Sequence, residues 1–169
     1  MNVQDVKDSF YAGLRDRIAA ANPARTMVVR GVIRPAVLVV ENELPLGEGV
    51  PLETFQLVWG GLKSTPDGLL SASCQVAYTV NGSVGATEAA SSVLGRGRAL
   101  AAMDGELVQA LGGVVRSTPG VSVGESNGVA VQTVTGTRVF WGDATFATAV
   151  EKGDRISRVV SVEVFGYVL

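Results

Sequence analysis

Side chains suited to nucleophilic or proton-transfer chemistry are scarce in this sequence, which has no histidine and a single cysteine, Cys74. Cys/His and Ser/His catalytic arrangements are therefore excluded, most zinc sites lose their usual ligands, and an intrachain disulfide cannot form. Cys74 falls on one face of a predicted strand with four apolar residues, which favours a small core residue over a nucleophile. Those four are Leu70, Ala72, Val76 and Tyr78.

Paired carboxylates remain as a route to acid–base catalysis, and they require two acids in one pocket. Two pairs come into consideration, Glu41 with Glu43 and Asp143 with Glu151. All four lie in or beside polar stretches, which favours solvated surface charges. No spacing of Asp or Glu is typical of a metal site. We therefore predict no catalytic residue, no cofactor-binding residue and no metal ligand.

A glycine-rich motif, Gly95-Arg96-Gly97-Arg98, invites comparison with phosphate-binding loops. It lacks the later glycine, the preceding strand and the lysine of a nucleotide site, so the start of a helix is the better interpretation. Basic residues are scattered along the chain and the formal net charge is -2. This pattern argues against sequence-specific nucleic-acid binding.

Composition predicts one folded domain, because 47% of the 169 residues are hydrophobic and only 18% are charged. No apolar run reaches the roughly 18 to 20 residues of a membrane helix. The first residues also lack the basic and apolar regions of a secretory signal. We expect no membrane partner and synthesis in the cytosol.

Two segments have helical spacing of apolar residues. Residues 3–21 repeat them every three or four positions and end before Pro23, which disfavours helix in the preceding residue. Residues 87–111 return to this spacing and stop at Gly112-Gly113. Glycines inside the second helix predict close packing against a sheet or another subunit, and a break near the first of them. They are Gly95, Gly97 and Gly105.

The remaining periodic segments alternate like β-strands. Residues 26–42 predict one bent strand or two short ones, and residues 55–59 with 70–80 predict a long antiparallel hairpin. Further strands are expected at 129–134, 137–141, 145–150 and 156–169. The fold class predicted is α+β, a mostly antiparallel sheet packed with two main helices.

Two long loops are predicted at 43–53 and 114–127, where proline, glycine and serine are frequent. Each is a candidate contact arm, the second with a short extended piece at Val121 to Val123. The last strand is apolar on both faces, which predicts a position between two layers or cover by a neighbouring subunit. Trp59 and Trp141, both followed by glycine at strand ends, are expected in the core or at an interface.

Taken in chain order, several segments of this sequence resemble the tail terminator, or tail-completion, proteins of long-tailed bacteriophages and related contractile injection particles. The resemblance covers almost the whole chain. The segment 114–141 is longer in this chain than the corresponding segment in the family. The segments that carry it are the opening helix around Phe10-Tyr11-Ala12-Gly13-Leu14, the strands Arg34-Pro35-Ala36-Val37-Leu38-Val39 and Gln75-Val76-Ala77-Tyr78, the helix that follows, and the closing Val159-Val160-Ser161-Val162-Glu163-Val164.

This resemblance implies a structural protein, not an enzyme. It would form a homo-oligomeric ring, commonly a hexamer, at the head-proximal end of the tail tube in the virion, after assembly in the host bacterial cytoplasm. Its partners would be its own copies, the tail tube protein and the head-tail connector protein, with DNA passing through the lumen. The expected interface residues are Leu44, Pro45, Leu46, Trp59, Val121, Val123, Trp141, Phe165, Tyr167 and Leu169.

Two alternatives remain open. A tail-tube or baseplate subunit would use the same assembly physics and would form open stacks instead of closed rings. A helix against a long antiparallel sheet also suits a small hotdog-like enzyme. Without histidine, such an enzyme would depend on an acid such as Asp143 or Glu151 in an apolar tunnel.

Overall fold

A computed structural model describes residues 2–40, 49–81 and 97–167. Its mostly antiparallel sheet packs against two helices, which confirms the α+β prediction. The helices are α1 (Val3–Ala21) and α2 (Arg98–Leu111), and the strands are β1 (Thr26–Val29), β2 (Val32–Pro35), β3 (Val37–Val39), β4 (Phe55–Ser64), β5 (Leu69–Asn81), β6 (Ser117–Ser126), β7 (Val129–Trp141), β8 (Thr145–Phe146), β9 (Val150–Lys152) and β10 (Arg155–Tyr167).

Helix α1 begins and ends where the sequence predicts. The Asn2 side chain accepts the Asp5 backbone N–H at 2.8 Å, and the Asp5 carboxylate accepts the Asn2 N–H at 2.8 Å, a capping box that satisfies two otherwise unpaired donors. Asn22, the residue before Pro23, is extended and ends the helix. The buried face is formed by Val6, Phe10, Leu14 and Ile18.

Helix α2 confirms the described part of the second predicted helix. It ends at Gly112, whose N–H bonds to the Val108 carbonyl at 2.8 Å, as the two glycines predict. The segment before Gly97, including the expected break near Gly95, lies outside the described residues. Of the two packing alternatives, the one against a sheet is wrong at Gly97 and Gly105, because a Cβ at either position would meet no described atom within 4 Å.

The main sheet has the order β3-β4-β5-β10-β7-β6, with β8 and β9 also paired to β10. The predicted hairpin is present as β4 and β5, and β10 pairs antiparallel with β5 along its whole length. The last strand lies between β5 and β7 in the sheet, but among the described residues only one of its faces is buried, so the expected position between two layers is wrong. Val168 and Leu169 lie outside the described residues.

One hydrophobic cluster joins α1, α2 and one face of the main sheet. Strand β5 shows how the sheet contributes, because its residues alternate between buried and more exposed positions. Cys74, fully buried, belongs to this cluster, which confirms its core assignment. Burial also raises the pKa of its thiol. The opposite sheet face is more polar and more exposed.

Residues 26–40, the described part of segment 26–42, differ from prediction by forming a hairpin and a third short strand. β1 and β2 pair antiparallel around Arg30 and Gly31, which both have positive φ, as a tight hairpin turn requires. β3 then pairs parallel with β4. A second small cluster of Met27, Ala36 and Leu38 packs this region together.

The prediction of a long irregular loop at 114–127 is wrong over most of its length, because Ser117–Ser126 is strand β6. Pro119 favoured the loop interpretation, yet β6 lies at the edge of the sheet, where a missing N–H is tolerated. Of the loop predicted at 43–53, residues 49–53 are irregular as expected and 43–48 lie outside the described residues.

The strands predicted at 129–134 and 137–141 are one strand, β7, with an irregularity opposite Gly120. The strand predicted at 145–150 is instead two short pieces, β8 and β9. Neither described helix is long and apolar enough to cross a membrane.

Candidate functional site

The most distinctive surface is the outer half of the β6–β7 hairpin. From Val121 opposite Val134 to Ser126 opposite Val129, the two strands pair in unbroken antiparallel register. Asn127 and Gly128 form the turn with φ values of 53° and 76°, the conformation that Asn-Gly favours in two-residue hairpins. We call residues 121–134 the arm.

Helix α1 holds the hairpin only as far as the base of the arm. The Ser9 hydroxyl accepts the backbone N–H of Val121 at 2.8 Å, so a helix side chain occupies this point of the strand edge. One turn along the helix, a Cβ at Gly13 would lie 2.7 Å from the Thr118 hydroxyl. Glycine is therefore required for the close approach of α1 to β6.

Beyond this base the arm is open on both faces and along both edges. Every residue from Val123 to Val134 is exposed, with Val129 at 63% and Val134 at 70%. Among the described residues, β7 pairs with β10 only through Val139, Phe140 and Trp141, and no strand pairs with the outer edge of β6. Isolated two-stranded ribbons are marginally stable in water, so this one needs a partner surface.

The arm also lacks the devices by which strands usually avoid pairing with other chains. Glu125 is its one charged residue. Residues 129–134, Val-Ala-Val-Gln-Thr-Val, contain no charge, proline or glycine. Uncharged segments of this length with high β-propensity readily form intermolecular strand pairs when exposed on an edge.

An apolar surface continues from the arm onto the open face of the sheet. Phe140 on β7 lies directly opposite Phe165 on β10, and Tyr167 follows two residues later on the same face. Phe140 is 45% exposed and Tyr167 52% exposed, whereas Phe165 is half-buried. Val134 and Phe140 are an even number of residues apart in β7, so their side chains lie on the same face although an irregularity in the pairing separates them. The arm therefore extends this face.

The structure brings some of the predicted interface residues to these surfaces. Val121 lies half-buried at the base of the arm, and Val123 lies on it with 42% exposure. Phe165 and Tyr167 lie on the open face. The remaining surface predictions, Leu44, Pro45, Leu46 and Leu169, fall outside the described residues.

Both tryptophans pack toward the core, one of the two interpretations of the sequence. Trp141 is 5% exposed and donates its indole N–H to the Leu111 carbonyl at 3.0 Å. Phe10 packs edge-on between the two rings, at 5.6 Å from Trp141 and 5.9 Å from Trp59. Trp59 remains half-buried, with the Lys7 ammonium 5.6 Å from its ring.

Of the acids considered for catalysis, the described pair, Asp143 and Glu151, is not brought together. Asp143 is 87% exposed and pairs with Arg116, and it lines a cleft with the end of α2. Glu151 is also exposed and lines a different cleft. Neither lies in the apolar tunnel that a hotdog-like enzyme would need. Glu41 and Glu43 lie outside the described residues.

A polar network that includes a tyrosine with a raised pKa borders the cleft lined by Glu151, whose volume is about 500 Å³. Asp104 on α2 accepts hydrogen bonds from the Tyr78 hydroxyl at 2.5 Å and from Arg158 at 2.8 Å. Burial, and then the bond to the Asp104 carboxylate, raise the pKa of Tyr78. Asp104 thereby links α2 to β5 through Tyr78 and to β10 through Arg158. Among the described residues, no group of three acids or sulfur ligands could hold a metal ion.

Sequence reasoning missed the arm, although its signal is present. Asn127-Gly128 between β-branched segments is a strong hairpin signal. Serines and glycines in residues 117–126 concealed the first strand. The chain matches no protein-family model and no curated protein sequence.

Proposed function

We propose that this protein is a structural assembly subunit of a bacteriophage tail or a related contractile injection particle. In this proposal, copies of the chain form a ring on the head-proximal end of the tail tube, stop its growth and present a surface to the head connector. The resemblance of the ordered elements to tail terminator proteins motivates the particular role.

The observation that carries the proposal is the arm. A two-stranded ribbon with exposed valines on both faces gains little stability by itself, whereas contact with another subunit removes those side chains from water. The adjoining aromatic face of Phe140, Phe165 and Tyr167 supplies a second apolar contact of the kind enriched in subunit interfaces.

Electron microscopy of the purified protein tests this proposal. Single closed rings are the expected result, and rings should cap the ends of purified tail tubes and prevent their elongation. Open tubes of this chain alone would instead identify a tube subunit. A protein that stays monomeric at high concentration and leaves tube elongation unchanged would contradict an assembly role.

A further inference from the structure

Among the described residues, no strand pairs with either edge of the arm, and the two edges lie on opposite sides of one ribbon. β6 contributes one edge, which begins after Val121, where Ser9 bonds to the backbone, and ends at Ser126. β7 contributes the other edge from Val129 to Val134. Unpaired backbone N–H and C=O groups on a strand edge are matched best by another strand. The chemistry of both edges therefore calls for a β-strand as the occupant.

We propose that neighbouring copies of this chain supply those strands, so that β7 of one arm pairs with β6 of the next and the arms close into an antiparallel β-barrel. This inference rests on the proposed ring. The two edges are different surfaces, so their contact is head-to-tail, the type of contact that repeats around a ring. Closure leaves no edge unpaired.

Strand direction is compatible with this arrangement. β6 and β7 run antiparallel within the arm. Rotation about an axis that follows the strands keeps each direction unchanged, so β7 of one copy meets a β6 that is again antiparallel to it. The barrel would contain two strands from every subunit, all in antiparallel order.

Charge favours the head-to-tail pairing over a two-fold pairing of identical edges. The β7 edge is uncharged and the β6 edge carries only Glu125, so β7 against β6 opposes no like charges. Pairing of β6 with another β6 about a two-fold axis along the strands would be parallel and would bring two Glu125 side chains together. Pairing of β7 with another β7 would leave both β6 edges open.

The other edge of the main sheet is a poorer candidate. β3 pairs with β4 only as far as Leu57, so residues 58–64 have no described partner on that side. An irregularity between Trp59 and Leu62 interrupts this edge, and it carries Lys63. Bulges and lysines are the usual protection of strand edges against pairing, and the arm has neither beyond its base.

The test compares two double variants of the full-length protein. V129K/V131K places lysines on the β7 edge, and V28K/V32K places them on the β1–β2 hairpin. Val28 is a control for Val129 because the two side chains are equally exposed, at 64% and 63%. Light scattering and electron microscopy then report the oligomeric state, and circular dichroism reports folding.

The inference expects rings from the unaltered protein and from V28K/V32K, and folded monomers from V129K/V131K. Within the ring, amide hydrogen exchange at residues 129–134 should slow at least tenfold relative to dilute monomer, since both sides of each strand become paired.

Rings that survive V129K/V131K, or ring amides that exchange as in the monomer, would overturn the barrel and leave the proposed ring intact. Loss of rings in both variants would also overturn the assignment to the arm. An unaltered protein without any oligomer would overturn the proposed function itself.

Discussion

At the scale of single residues, two helical glycines of similar appearance have opposite roles. Gly13 lies where α1 crosses β6, and Thr118 is too close to admit a Cβ there. A Cβ at Gly105 on α2 would meet no described atom within 4 Å. Only the first is required by packing. Helix propensity alone would treat both positions alike.

We predict that Gly105→Ala raises the free energy of unfolding by about 1 kcal/mol, because alanine loses less backbone entropy in a helix than glycine. Gly13→Ala should lower it by about 1 kcal/mol, since the overpacking cost exceeds the same helical gain. Urea unfolding at low protein concentration measures both changes. Equal effects at the two sites would contradict this assignment.

Acid sensitivity is predicted at Glu106, which ties α2 to the end of α1. Its carboxylate pairs with Arg25 and accepts the Asn22 side-chain N–H at 2.7 Å, and both members of the ion pair are about nine-tenths buried. Burial raises the pKa of Glu106, but hydrogen bonds from Arg25 and Asn22 outweigh it, so the pKa is lowered from 4.5.

Because the folded state lowers this pKa, ionised Glu106 contributes stability above pH 4.5, and that contribution is lost as pH falls through the folded pKa. Glu106→Gln should therefore destabilise the protein at pH 7 by about 1 to 3 kcal/mol. The difference from the unaltered protein should shrink at acid pH. Melting temperatures of both proteins from pH 7 to pH 3 measure it, and a constant difference would be inconsistent with this role.

At the scale of secondary-structure elements, the arm and the core should be separable. Helix α1 contacts the hairpin as far as Val121, while the residues beyond are exposed and contribute nothing to the main cluster. Local stability then depends on the turn. Gly128 has φ of 76°, and Gly136 in the same hairpin has no such conformation.

We predict that Gly128→Val lowers amide protection in the arm of the monomer by roughly 5- to 30-fold, because a β-branched residue in the left-handed region costs about 1 to 2 kcal/mol. The melting temperature of the core should hardly change. Gly136→Val is the control and should leave arm protection near its original value. Hydrogen exchange by mass spectrometry resolves the two regions. A cooperative loss of protection throughout the molecule after Gly128→Val would show that the arm and core unfold together.

At the scale of the whole molecule, the proposed ring links stability to concentration. Assembly involves only folded chains, so it should raise the melting temperature as protein concentration increases. We expect a rise over a hundredfold concentration range for the unaltered protein and for V28K/V32K. V129K/V131K should show no such rise. A melting temperature independent of concentration in the unaltered protein would argue against assembly by folded subunits.

The sequence by itself determined the local features of this protein. The capping residues and Asn22-Pro23 set the ends of α1, alternation placed Cys74 in the core, and the absence of histidine limited the available chemistry. These properties depend on residues near one another in the chain or on composition. They required no knowledge of which strands pair.

Tertiary structure decided which surfaces remain open. Whether 117–126 is a loop or an edge strand depends on β7 and on Ser9, which lies 112 residues from Val121. Contacts with Phe10 and Leu111, both distant in the chain, bury Trp141, whereas Val129 in the same strand stays exposed. Local sequence preferences cannot determine these outcomes, because the free energy of strand pairing and burial depends on partners distant in the chain.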